Sequence, residues 1–479
     1  MNLNRLYKAV AAGCMLLPLS APLAAQANDR WDITPRVSIS QIYSDNISLE
    51  VKGDENDEFV TRLDAGVALL REGARARARL DYNLLGLVFW DESDDNDVFH
   101  QLDAEGRVDL VPNRFFVEGL ATFDQRERSR AGRTGDIVNI GVDRTDVLNV
   151  RVSPVYVQTF DDFGTGELRY TYDRVDYDDD DDRDTDSESN RVRANLASGP
   201  MFARIGWNLS FDREEIDFDD GSSVTFQTAE ALARLNVTDR FSVFGAIGDE
   251  NNDFDQDPTR AQPDDTFWRA GATFRPTNRT FMEGFFGERF FGTTYGGTLR
   301  RDLRDGRLSV DYVEELRTVN DIDVRPIRDA DGELIFDPET GRPIFELFDL
   351  RTGVFLRKRF SASISIRRQK TDWGLRIFDE RREFELDDRD ERVQGIVGDI
   401  TWRVLPRTSV FGNLRVEEST FADERDREDT LWRARLGVSR DLGPSTRASV
   451  DYGYTEREST QADREYRENR VTATFTKTF

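Results

Sequence analysis

Cysteine and histidine each occur once in the 479 residues, and only five lysines are present. The lone Cys14 excludes a disulfide framework. The lone His100, with no Ser or carboxylate constellation beside it in sequence, argues against acid–base or nucleophilic catalysis. Neither a G-x-S-x-G elbow nor a phosphate-cradling loop occurs. No catalytic residue and no cofactor are expected. No apolar run approaches the ~20 residues of a membrane-spanning helix. Mean hydropathy is −0.63. The balance of 93 acidic against 66 basic residues leaves a net charge of −27. That field repels phosphates and excludes nucleic acid as a partner. Such a balance would suit a disordered acidic chain, but 33 Phe, 12 Tyr and 7 Trp need a folded setting that tolerates charge every few residues.

The N-terminus has the layout of a secretory leader. Arg5 and Lys8 precede an apolar stretch from Ala9 to Leu17, and Ala25-Gln26-Ala27 forms a small-x-small cleavage site. Residues 1–27 are therefore expected to be removed, leaving 28–479 as one domain. A lipoprotein reading of Ala11-Ala12-Gly13-Cys14 is disfavoured by the short apolar stretch before Cys14. Either way the processed chain has no internal thiol pair.

Beyond the leader the dominant signal is a period of two. Arg75-Ala76-Arg77-Ala78-Arg79-Leu80-Asp81 alternates charge with apolar side chains, as do Arg191-Val192-Arg193-Ala194, Ser361-Ala362-Ser363-Ile364 and Arg433-Ala434-Arg435-Leu436. Successive side chains of a strand point to opposite faces, so each segment has one wet and one apolar face. A helix would scatter the same residues around its circumference. Tight breakers such as Pro112-Asn113-Arg114, Pro276-Thr277-Asn278-Arg279 and Gly443-Pro444-Ser445 separate these strands. They alternate with long acidic connections: 91–97, 178–188, 249–265, 317–345 and 421–429.

This sorting of connections by length predicts an all-β, transmembrane, antiparallel up-and-down β-barrel. It would have short periplasmic turns and long acidic extracellular loops. Such a barrel pairs every backbone group internally, needs only an apolar band outside and can line its interior with charge. Counting turns gives 22 strands, within a range of 18–24, with consecutive strands near 345–357 and 359–370. Aromatics near strand ends, including Phe89-Trp90, Phe115-Phe116, Phe285-Phe286, Trp402 and Trp432, fit interfacial girdles.

The last ten residues alternate and end on Phe479, with Phe475, Ala473 and Val471 on one face. That pattern resembles the signal read by the barrel assembly machinery. Phe475 and Phe479 are its expected contacts, and Lys477 departs from it. Trp31-Asp32-Ile33-Thr34-Pro35-Arg36-Val37, the later Tyr43-Ser44-Asp45-Asn46-Ile47 and the Asp337-Pro338-Glu339-Thr340-Gly341-Arg342-Pro343 segment resemble β-barrel porin 2 outer-membrane proteins. They are especially similar to those of exopolysaccharide and PEP-CTERM (exosortase) loci. The resemblance implies an outer-membrane barrel associated with surface polysaccharide and with periplasmic export partners, and it brings no catalytic residues.

Two features carry candidate chemistry. Asp182, Asp184, Asp186 and Glu188 alternate like hard-cation ligands, but the turn glycine of a calcium loop is replaced by Ser187, so a solvated loop is the expectation and no metal site is assigned. Acidic loops could also share divalent ions with lipopolysaccharide. Arginine accounts for all but five of the basic residues. Arg75, Arg77, Arg79, Asp81, Arg107, Arg191, Arg193, Arg234, Arg433 and Arg435 are expected to line the lumen. A planar, always-charged fork suits either an anionic polymer or bracing pairs with lumen carboxylates, and bracing is the stronger expectation. The sequence thus points to a barrel for hydrophilic solute, most plainly a surface polysaccharide in export. The alternatives are a structural or adhesive barrel and a soluble extracellular β-protein.

Overall fold

The computed structural model describes residues 31–128, 131–178, 186–255, 263–318, 353–386, 390–421 and 427–479. The expected leader and the Asp337–Pro343 segment lie outside these residues. The described residues form 22 strands. They are β1 (Asp32–Ser44), β2 (Glu58–Glu72), β3 (Ala76–Phe89), β4 (Asp97–Val111), β5 (Phe115–Glu127), β6 (Arg144–Phe160), β7 (Gly164–Asp178) and β8 (Ser187–Ser198). Next come β9 (Ile205–Phe218), β10 (Ser223–Asn236), β11 (Phe241–Asn251), β12 (Asp264–Thr277), β13 (Thr280–Arg289), β14 (Gly292–Asp302) and β15 (Gly306–Thr318). The chain ends with β16 (Val354–Arg367), β17 (Thr371–Phe384), β18 (Asp390–Leu405), β19 (Thr408–Phe421), β20 (Arg427–Gly443), β21 (Thr446–Ser459) and β22 (Tyr466–Thr478).

Every strand pairs antiparallel with its chain neighbours, and β1 pairs with β22 from Arg36↔Thr478 to Ser44↔Arg470. The sheet is therefore a closed ring without a free edge, which removes the unpaired N–H and C=O groups that an open margin would expose.

Alternation sorts the side chains. On β1, Ser40 and Ile42 are fully buried while Val37 and Ile39 are exposed. Residues opposite each other in an antiparallel pair share a face, so the register propagates the sorting around the ring. The convex face carries Ile247, Leu436, Val450, Phe286 and Trp402, all exposed. The concave face carries the charges. The expected tandem girdle aromatics split accordingly: Trp90, Phe286 and Trp402 are exposed, whereas Phe89 and Phe116 are buried on the concave side. Period-two geometry forces that outcome on any adjacent pair.

All connections at the end that holds Asp32 and Thr478 are short, from two residues to the six of 199–204. At the opposite end six of the eleven connections have seven residues or more, whereas 219–222, 290–291, 385–389, 422–426 and 460–465 have six or fewer.

One strand assignment needs correction. The expected strands at 345–357 and 359–370 are replaced by β16 and β17, and the start of the former lies outside the described residues. The missed stretch contains Asp379-Glu380-Arg381-Arg382-Glu383, which places charge on both faces and erases the alternation. These strands run beyond the apolar band, where Arg392 pairs with Asp379 at 2.7 Å and Lys358 with Glu383 at 2.7 Å on the convex side.

Candidate functional site

The concave wall is a lattice of arginine–carboxylate pairs. Arg36 on β1 reaches across β2 to Asp81 on β3 with two hydrogen bonds, at 2.6 and 3.0 Å. Arg107 holds Asp109 at 3.0 Å, Arg191 holds Asp212 at 2.9 Å and Arg193 shares that carboxylate at 2.7 Å. Arg234 meets Glu283 three strands away at 3.3 Å, and Arg435 grips Asp451 at 2.9 Å with both ends of its fork. Arg77 and Arg79 lie on the same face as Arg107 and Asp81 through the β2–β3–β4 register. Arg433 lies opposite Arg415 and within the field of Glu127. Arg75 is the exception: it sits in the turn before β3, exposed, one residue short of the ladder it continues in sequence.

Several concave phenylalanines are sandwiched into this lattice. Arg234 caps Phe244 at 5.4 Å and Arg269 caps Phe285 at 5.2 Å. The rings lie against glycines of the next strand. A Cβ at Gly271 would come 2.5 Å from the Phe244 ring, and one at Gly296 2.2 Å from Phe285. Glycine there makes room for a flat ring that a guanidinium then covers.

At the long-loop end the chain between β5 and β6 turns inward. Its described part, 131–143, crosses the concave side of the barrel. Val138 is fully buried among Ile42, Ile47, Val60, Leu85 and Phe89, with Ile137 and Ile140 beside it. The other edge of the loop meets β20–β22. Tyr466 Oη donates to the Thr134 carbonyl at 2.8 Å and accepts from the Thr134 amide at 3.2 Å. Arg427 donates to the Ala131 carbonyl at 3.0 Å, and Arg457 to that of Gly132. Arg470 holds Asp136 at 2.8 Å and Asn139 at 2.8 Å, while the Asn139 amide reaches Glu468 at 3.1 Å. Arg133 closes onto Glu50 of the β1–β2 connection at 2.7 Å. Burial alone would raise the Asp136 carboxyl, but the guanidiniums of Arg470, Arg62 and Arg144 and the Ile137 amide outweigh it and hold the group below the usual carboxylate range.

A second inward cluster lies elsewhere on the ring. Phe254, from the β11–β12 connection, packs with Ile216, Phe218 and Val224 of β9–β10 and with Val354 of β16. The tops of β15 and β16 thus reach β9 and β10 although four strands intervene. The β13–β14 connection between them on the ring is only two residues long, 290–291.

The inward course of this loop is not among the expectations from the sequence. The signal for it is three branched apolar residues, Ile137, Val138 and Ile140, within a connection, with Arg128, Arg130 and Arg133 balancing the segment's acids, whereas its neighbours are acidic. His100 lies on the convex face, where its Nδ1 is 2.6 Å from the Tyr82 hydroxyl. Asp182 and Asp184 fall outside the described residues. Asp186 accepts from the Tyr177 amide at 2.7 Å, and Glu188 pairs with Arg174 at 2.7 Å. Phe475 is exposed on the convex face. The Phe479 amide bonds the Pro35 carbonyl at 2.9 Å, and Lys477 turns aside to Ser445 at 2.7 Å.

No protein-family model matches the chain, and no curated protein matches it. Solved structures do. The FrpB iron transporter from Neisseria meningitidis aligns with a TM-score of 0.54 at 9% identity, over 94% of this chain and 82% of that one. The siderophore receptor PirA from Acinetobacter baumannii aligns with 0.50 at 9% identity, over 95% and 81%. A ferric enterobactin receptor (PfeA) mutant from Pseudomonas aeruginosa gives 0.50 at 8% identity, over 94% and 80%. At this identity the likeness is one of fold: a large, closed, antiparallel β-barrel.

Proposed function

We propose that this chain is an outer-membrane pore for hydrophilic solute and that it assists export of a surface polysaccharide. The observation that carries the reading is the closed ring with an apolar convex face and a concave face of ion pairs. Arg36–Asp81, Arg191–Asp212 and Arg435–Asp451 give a wall that stays hydrated and offers hydroxyl-rich chains many donors and acceptors. Arg77, Arg79, Asp81, Arg107, Arg191, Arg193, Arg234, Arg433 and Arg435 line that passage, and Arg75 stands at its rim. Segment 131–143 is its constriction. Short turns face the periplasm and long loops the exterior, as in bacterial barrels generally. Residues 1–27 direct export, Phe475 and Phe479 present the last strand to the assembly machinery, and lipopolysaccharide surrounds the outer rim. The resemblance to exopolysaccharide-locus barrels supports the choice of solute.

The test is conductance of the purified barrel in a planar bilayer, with and without polysaccharide. Steady conductance that polymer interrupts is expected. Silence in the intact barrel, and again after deletion of 131–141 or of 317–344, overturns the pore. A second reading, a closed structural or adhesive barrel, is favoured by the two clusters folded over the concave side; barrels of this width can hold a filled lumen. Under it, polymer binds at the cell surface and no variant conducts.

A further inference from the structure

The two ends of the barrel carry opposite charge, and strand register sends part of the cationic end inward. At the short-turn end the connections present Arg75, Arg114, Arg204, Arg279, Lys370 and Arg407, all exposed. Only the 161–163 turn, with Asp161 and Asp162, is acidic on balance there. At the other end nearly every connection is acidic, from Asp91-Glu92 and Asp94-Asp95 to Asp219-Asp220. The inward loop 128–143 is the one long connection that is not.

Four arginines extend the basic rim into the mouth. Arg77 shares the face of Arg107; Arg300 lies opposite Phe281 and Ser309; Arg403 lies opposite Ser409; Arg275 sits over the Phe281 ring at 5.0 Å. All four are exposed. Among the described residues, Arg300 has no carboxylate partner and Arg77, though opposite Glu72 in the β2–β3 register, makes no ion pair, in contrast to the paired arginines deeper in the wall. Arg403 donates only to the Gln369 carbonyl, at 3.5 Å.

We infer that the short-turn mouth is a capture site for a polyanionic polysaccharide, one bearing carboxylates or phosphates along its chain. The inference rests on the pore reading and names its substrate class. Arginine forks bind such groups in bidentate fashion. A ring of them at a low-dielectric mouth concentrates a polyanion. The paired wall beyond holds it weakly, because those forks are already occupied, and the acidic outer loops repel it once it emerges. Charge order alone therefore favours passage from the short-turn side outward. Phospholipid phosphates are the competing ligand for exposed arginines at a membrane interface, but Arg77, Arg275, Arg300 and Arg403 are on the concave face, away from lipid.

The experiment uses the oriented barrel in a planar bilayer, with polygalacturonate as the probe and neutral dextran of similar length as control. Polygalacturonate is expected to interrupt the current at about tenfold lower concentration from the short-turn side than from the long-loop side. Dextran should show no such asymmetry, and 1 M salt should abolish it, since the Debye length then falls to ~3 Å. Arg275→Gln, Arg300→Gln and Arg403→Gln combined should remove most of the asymmetry while leaving open-channel conductance in place. Equal potency from both sides overturns the inference, as does equal potency of dextran. Binding of the solubilised barrel to labelled polygalacturonate gives an arm that needs no conductance. Salt-sensitive binding in a silent barrel would sink the pore and keep the capture site; a conducting barrel without binding would do the reverse. Retention by anionic phospholipid vesicles with no polymer binding would assign these arginines to lipid and overturn the inference.

Discussion

Arg36 spans an entire strand to reach Asp81, lying over Gly66 of β2, where an added Cβ would come 2.9 Å from the Arg36 Nε and 2.8 Å from the Asn83 amide oxygen. The pairing of β1 with β3 thus depends on a missing side chain in β2. Gly66→Ala is expected to displace Arg36 and lower barrel stability by about 1–3 kcal/mol, the usual cost of overpacking. Asp81→Asn, which keeps the packing, should cost less, about 0.2–1 kcal/mol, because both partners keep some contact with water. Urea unfolding followed by heat-modifiable gel mobility checks the order; a costlier Asp81→Asn would refute it.

The Phe–Gly interlock predicts a similar sensitivity on the opposite wall. Gly296→Ala drives a methyl to 2.2 Å from Phe285, so the ring must leave its site under Arg269. The expected loss is about 1–3 kcal/mol. Gly296→Ala combined with Phe285→Leu should recover part of it. Additive losses in the double variant would show that the two residues do not interact.

Loop 131–143 is held by Tyr466, Arg470, Arg457 and Arg427 at one edge and by buried Val138 at the other. Tyr466→Phe removes two hydrogen bonds without changing shape, at about 1–2 kcal/mol. Val138→Asp places a charge in an apolar cluster and costs more. Since 1.4 kcal/mol is about tenfold in population, Tyr466→Phe should raise the open fraction of single channels about tenfold, and Val138→Asp further. Unchanged gating in both would show that the loop does not restrict the pore.

Asp136 gives the pH dependence of this attachment. Its carboxyl is lowered in the folded state, so its contribution is complete above the ordinary carboxylate range of about 4. It is lost only as pH falls through the lower folded value. Titration of Asp136 is therefore expected to leave conductance unchanged from pH 5 to 8. Asp136→Asn should raise conductance across that range, because Arg470 loses its ion pair to the loop and keeps only that to Glu468 of its own strand. A rise in wild-type conductance between pH 7 and 5 would assign gating to another group.

The convex face predicts membrane dependence. Leu436 is 62% exposed near the middle of β20. Leu436→Arg should cost about 2–4 kcal/mol of folding into lipid, whereas Ser439→Arg, on the concave side, should cost far less. Folding yield into liposomes distinguishes them, and equal yields would place Leu436 away from lipid.

The fold was legible because a strand in a closed barrel obeys only local rules. Alternation in Arg75–Asp81, turn residues at Pro112–Arg114 and loop length together determine topology, since each strand pairs with its chain neighbour and nothing distant must be guessed. Where local charge blurred the alternation, as at Asp379–Glu383, a strand was misplaced. The concave placement of Arg191, Arg193, Arg234 and Arg435 followed from the same period. Tertiary structure alone decided who pairs with whom: Arg234 reaches Glu283 three strands away, and Arg36 passes over Gly66, because strand stagger sets those distances. It also decided that residues 131–143 fold inward to meet Tyr466 and Arg470 some 330 positions later. Contacts across a hollow join residues that share neither periodicity nor proximity in the chain, and only closure of the ring brings them within reach.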